Sequence, residues 1–176
     1  MRKLRSTELN RLNTEEYRRS PKLPLVVILD NVRSSNNIGS FFRTSDALKV
    51  NRICLCGITA TPPSREIHKT ALDAEKTVVW DYYAKTEQAV IALRTDGYRI
   101  FAVEQIDESI ALPDFAPSRG EKIAVIFGHE VKGVQQTIID QCDGAIEIPQ
   151  YGMKHSFNVS VSAGIVLWDL FQKMNG

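Results

Sequence analysis

Three stretches of the chain gather polar side chains and glycine densely enough to do chemistry. They are Asp30-Asn-Val-Arg-Ser-Ser-Asn-Asn-Ile-Gly39, Gly128-His-Glu-Val-Lys-Gly133 and Pro149-Gln-Tyr-Gly-Met-Lys-His-Ser-Phe-Asn158. What they lack narrows that chemistry. Gly128 and Gly133 have the spacing of a phosphate-cradling loop, but Val134 and Gln135 stand where Lys and Ser/Thr belong. The cationic grip and the magnesium ligand are therefore missing. No G-x-G-x-x-G occurs, which argues against a standard dinucleotide site. Ser156 follows His155, but adjacent residues do not face each other on a helix or strand, and no G-x-S-x-G elbow surrounds the serine. His68, His129 and His155 are scattered, and Cys54 and Cys56 point to one face of a single apolar run. No metal is expected, and the thiols read as small core residues.

The elements that position these loops follow from hydrophobic patterning. Hydrophobic residues are 43% of the 176 and charged residues 24%, ordinary globular usage for about one domain. Three cysteines do not make a disulfide scaffold and suit a reducing compartment. The longest apolar run, Leu25–Leu29, is far short of a membrane span, and Met1-Arg-Lys-Leu-Arg opens no secretory signal. A cytoplasmic protein without membrane contact is expected. Leu25–Leu29, Arg52–Cys56, Thr77–Trp80, Tyr98–Val103, Lys122–Phe127 and Ala145–Ile148 read as strands. Ser34–Leu48, Arg65–Ala71, Thr86–Thr95, Gly133–Gln141 and Val159–Met174 read as helices. In the last of these, Val161, Ile165, Trp168 and Phe171 have core-like spacing. Strands alternating with helices predict an α/β fold, a parallel sheet flanked by helices. Ligands in such sheets collect beyond the carboxyl ends of the strands, where all three polar loops fall.

Residues 1–22 differ from the rest. Arg2, Lys3, Arg5, Arg11, Arg18, Arg19 and Lys22 stand against Glu8, Glu15 and Glu16, although the whole chain carries only +1. A helix from Ser6 to Arg19 with a thin stripe of Leu4, Leu9 and Leu12 is expected, ended by Pro21 and Pro24. It reads either as a solvated helix docked on the body or as a basic arm touching phosphates. The chain thus divides into a basic N-terminal helical extension, 1–22, and a main domain, 23–176.

Taken in order, the loops resemble the SpoU/TrmH branch of the SPOUT RNA methyltransferases. The first motif reads Asn37-Ile-Gly39-Ser-Phe-Phe-Arg43, the second Gly128-His-Glu130-Val-Lys-Gly133, and the third Ile148-Pro149-Gln-Tyr-Gly152-Met-Lys-His-Ser156-Phe-Asn158-Val-Ser160. Phe157 replaces the usual Leu, and His129 stands where a small polar residue is commoner. The resemblance implies a C-terminal deep trefoil knot, a homodimer, and transfer of a methyl group from S-adenosyl-L-methionine to a ribose 2′-hydroxyl of tRNA or rRNA. By matching positions it assigns Arg43, Asn37, Glu130, Ser156 and Asn158 to catalysis. Val103, Glu104, Gly128, Ile148 and Phe157 go to cofactor binding.

Within that assignment Arg43 of one chain completes its partner's site. Holding a guanidine neutral at pH 7 costs roughly 7 kcal/mol, so Arg43 reads as an electrostatic clamp rather than a base. Asn37 and Asn158 bridge loops, Glu130 accepts backbone or Arg donors, and Ser156 caps the final helix or contacts RNA. Gly128 and Gly152 give the ligand close access to backbone. The alternative is a knotted protein that binds RNA or cofactor without methyl transfer, and a further rival is methylation of a base.

Overall fold

The computed structural model describes residues 1–5, 8–9 and 11–175. Leu23–Asp30 forms β1, buried along nearly its whole length, as a strand covered on both faces of a parallel sheet must be. Its side chains alternate. Leu25, Val27 and Leu29 enter one core cluster, while Val26 and Ile28 enter the other. The sheet holds seven strands, β1, β2 (Val50–Cys56), β3 (Val79–Tyr83), β4 (Arg99–Val103), β5 (Ile110–Ala111), β6 (Ile123–Phe127) and β7 (Gly144–Glu147). They lie in the order β3-β2-β1-β6-β4-β7-β5, and every pair is parallel.

Helices cover both faces. Beyond the short α1 (Thr14–Arg19), α2 (Ser35–Ala47) begins at an N-cap Ser34 whose hydroxyl accepts the Asn37 N–H. It packs against α3 (Arg65–Ala71), α4 (Ala74–Thr77) and α7 (Val159–Asn175) on the first face. Phe41 of α2 meets Phe127 of β6 edge-on at 5.1 Å, a pairing worth about 0.5–1.5 kcal/mol beyond burial. Helices α5 (Thr86–Thr95) and α6 (Gln136–Ile139) lie on the second face, with Cys54 and Cys56 beneath them.

Several expectations are corrected. The N-terminal helix covers only Thr14–Arg19; Ser6, Thr7 and Asn10 of the expected helix lie outside the described residues. Leu4, Leu9 and Leu12 are exposed, whereas Tyr17 is buried and Arg18 donates to the Lys76 carbonyl at 3.0 Å, so these two dock the segment. Thr77 ends α4, and the strand runs Val79–Tyr83 instead of Thr77–Trp80. The Gly133–Gln141 helix shrinks to one turn, Gln136–Ile139, because Gly133 takes a left-handed backbone (φ 68°) and Gln135 an extended one (ψ 137°), neither of which a helix can include. The stretch between β4 and β6 carries the short β5 and a 3-10 turn, Leu112–Asp114. In α7 the core face is Ala163, Val166, Leu167, Leu170 and Met174; Val161, Ile165 and Trp168 point outward.

Candidate active site

A cavity of about 640 Å³ opens at the carboxyl ends of β4, β6 and β7. That volume suits a ligand of coenzyme size. Val103, Phe127, Ile146 and Ile148 supply apolar lining from strand ends, and Phe157 stands half-exposed among its walls. Glu104, Glu130 and Glu147 line it with Lys132 as the only lysine or arginine, an acidic balance.

Three polar loops are tied together around it. The Glu130 carboxylate accepts the N–H groups of Arg33 (3.0 Å) and Ser34 (2.8 Å) at the start of α2, and the Asn37 Nδ2 (3.0 Å). A helix start offers unpaired N–H donors and a favourable dipole to such an anion. Partial burial pushes the Glu130 carboxyl up, but these donors outweigh it and hold its pKa below the ordinary value. Asn158 Nδ2 donates to Asn37 Oδ1 at 3.3 Å, and its own Oδ1 accepts Ser160 N and Oγ at the start of α7. The cap on α7 is therefore Asn158, not Ser156.

The second loop is folded tightly on itself. His129 N donates to Gly133 O and Gly133 N to His129 O. His129 Nδ1 accepts the Val131 N–H at 3.0 Å, doing with a ring nitrogen what a short polar side chain does in an Asx turn. A Cβ on Gly128 would run into the backbone of Gly133 and Val134. The bare Cα is needed for the loop to cross itself, rather than for a ligand to approach. Gly152 has open space around it. Gly39 is bare for a related reason: Thr70 Oγ1 and the Ile67 carbonyl of α3 press against it.

Of the residues assigned from sequence, Val103, Glu104, Gly128, Ile148, Phe157, Glu130, Ser156 and Asn158 all line the cavity. Asn37 joins them through Glu130 and Asn158. Arg43 does not line it; it is exposed on α2. Glu104 has a task within the protein, since Oε2 accepts Val134 N at 3.0 Å and Oε1 accepts Gln105 N. Sequence reasoning passed over Asp30 and Gln135, which meet behind the second loop. A lone carboxylate closing an otherwise apolar strand was the signal available for Asp30. Elsewhere, His68 bonds Glu75 at 2.7 Å near Asp73, which Lys76 neutralises, so this trio reads as an ion-pair network.

The sequence profile of the SpoU rRNA Methylase family matches residues 24–168. A tRNA (guanosine(18)-2′-O)-methyltransferase of Thermus thermophilus is 31% identical over 164 residues, 93% of this chain and 82% of that protein. A 23S rRNA (guanosine-2′-O-)-methyltransferase of Neisseria meningitidis serogroup B is 30% identical over 82% of this chain and 56% of its own length. Among solved structures, the A. aeolicus TrmH/SpoU tRNA modifying enzyme superposes with a TM-score of 0.81 at 25% identity, covering 92% of this chain and 81% of that one.

Proposed function

This chain belongs to the SpoU rRNA methylase family, and from that premise we propose that it transfers a methyl group from S-adenosyl-L-methionine to a ribose 2′-hydroxyl of tRNA or rRNA. The observation that carries the reading is the cavity at the strand ends, lined by the second and third polar loops and braced by the first through Glu130 and Asn158. Its properties fit the donor. Ile148, Phe157 and Val103 offer apolar contact to an adenine, and the acidic balance of Glu104, Glu130 and Glu147 suits a ligand carrying sulfonium and ammonium charges. When bound, S-adenosyl-L-methionine supplies a methyl group on a sulfonium, already a good leaving group.

The protein's own contribution is then alignment. Glu130, Asn37 and Asn158 act as struts that hold the loops in register, so that the sugar hydroxyl meets the methyl group in line. Arg43, exposed and outside its own chain's cavity, serves the site of a second copy, where a guanidinium fork clamps phosphate and favours the developing alkoxide. Ile165 and Trp168 of the outward stripe border an apolar groove of about 520 Å³ with Leu112, Pro113 and Pro149, which supports a homodimer through α7. A C-terminal deep trefoil knot belongs to the same proposal, and the place of β7 between β4 and β5, both earlier in the chain, is in keeping with it. Among the described residues no helix is long and apolar enough to cross a membrane.

The deciding experiment is nucleoside mass spectrometry of tRNA and rRNA from a strain lacking the gene and from its parent. One 2′-O-methylated nucleoside disappears with the gene, and added protein with S-adenosyl-L-methionine restores it. An unchanged set of ribose methylations, or loss of a methylated base, defeats the proposal.

A further inference from the structure

Asp30 ends β1, is 0% exposed, and lies outside the cavity lining. A fully buried carboxyl group persists only where donors satisfy it. Thr86 Oγ1 donates to it at 2.5 Å from the start of α5, and Asn31 Nδ2 at 2.9 Å. Gln135 donates twice, through its backbone N–H (3.0 Å) and its side-chain Nε2 (2.9 Å).

The placement of these bonds gives them meaning. The second loop leaves the sheet at the end of β6, whose neighbours are β1 on one side and β4 on the other. Each neighbour carries a carboxylate at its carboxyl end. Glu104, just past β4, accepts the Val134 N–H, and Asp30 of β1 accepts the next one, from Gln135. Two consecutive amides of the returning loop are thus gripped from both flanks of the strand it left. In a trans peptide the carbonyl points opposite to the following N–H, so this grip also turns the Val134 carbonyl away from Asp30. Val134 is part of the cavity wall.

The geometry points to Asp30 as a positioning residue for the methyl-donor cavity, acting through Gln135 and Val134 without touching the ligand. The inference rests on the reading of the cavity as the S-adenosyl-L-methionine site. Thr86 belongs to the same device, because its hydroxyl holds the carboxylate in the orientation that meets Gln135.

The test is isothermal titration of S-adenosyl-L-methionine into the full chain, with kcat measured at saturating RNA and donor. Asp30→Ala removes all four acceptor contacts and raises Kd about tenfold or more, while kcat falls far less. Asp30→Asn keeps one oxygen for Gln135 N, but its new amide faces Asn31 Nδ2, whose own oxygen is held by the Ile58 N–H, so its Kd rises by less than that of Asp30→Ala. A merely structural role would lower the binding stoichiometry and melting temperature and leave the Kd of the folded fraction unmoved; that result overturns the inference. Should Asp30→Ala fail to fold, Thr86→Val decides, with a raised Kd supporting the inference and an unchanged one ending it. If wild-type protein does not bind the donor, the reading of the cavity fails instead.

Discussion

The amide of Asn37 is held on both sides: Nδ2 donates to Glu130 Oε1 at 3.0 Å, and Oδ1 accepts Asn158 Nδ2 at 3.3 Å. One short side chain on α2 thereby joins the loop after β6 to the loop before α7. Neither an acid nor a base, it sits at the junction of all three polar stretches.

Replacing Asn37 by Ala leaves the Glu130 oxygen and the Asn158 amide each short of a partner. At ~1–3 kcal/mol per unsatisfied group, discounted for partial exposure, methyl transfer falls about tenfold or more. Asn37→Asp sets a second carboxylate against Glu130 and is more damaging at neutral pH. Initial rates with labelled S-adenosyl-L-methionine check both, and wild-type rates in either variant count against the strut.

The lowered pKa of Glu130 has a signed consequence. A depressed carboxyl contributes stability that is fully present above its ordinary value of 4.5 and is lost as pH falls through the lowered one. Melting temperatures of wild type and Glu130→Gln therefore differ by a constant amount above about pH 5 and converge below it. A difference that grows on acidification has the wrong sign for this network.

Arg43 and the cavity belong to different copies in the proposed dimer. Arg43→Ala and Glu130→Ala proteins, each inactive alone, regain about a quarter of wild-type activity when mixed and allowed to exchange, because half the dimers then carry one intact site. No recovery in exchanged dimers, verified by light scattering, places Arg43 with its own chain's cavity. Trp168→Arg, in the outward stripe of α7, is expected to yield monomers.

The thiols give a test of the second core. Burial, then the nearby Asp81 carboxylate, pushes the Cys54 thiol up to about 12; burial raises Cys56 further, and Cys142 to about 11. Ellman's reagent at pH 8 reacts with none of the three promptly in native protein and with all three in guanidinium chloride. A fast native thiol at Cys54 or Cys56 would contradict the packing of α5 over β2.

Local sequence carried much of this architecture. Leu25–Leu29 is apolar without alternation because both faces are covered, and Arg65–Ala71 and Thr86–Thr95 announce helices through their own periodicity and caps. The three polar loops were legible as a group because glycine, asparagine and serine have no other reason to cluster after apolar runs. Contacts between loops were not legible. Glu130 finds Asn37 across ninety-three positions, and the Gln135 N–H, which no local turn would satisfy, finds Asp30 far earlier in the chain. The outward turn of Trp168 had the same origin. Periodicity marks an apolar face but not what lies against it, and only the packed sheet decided that Leu167 and Leu170 would be the ones covered.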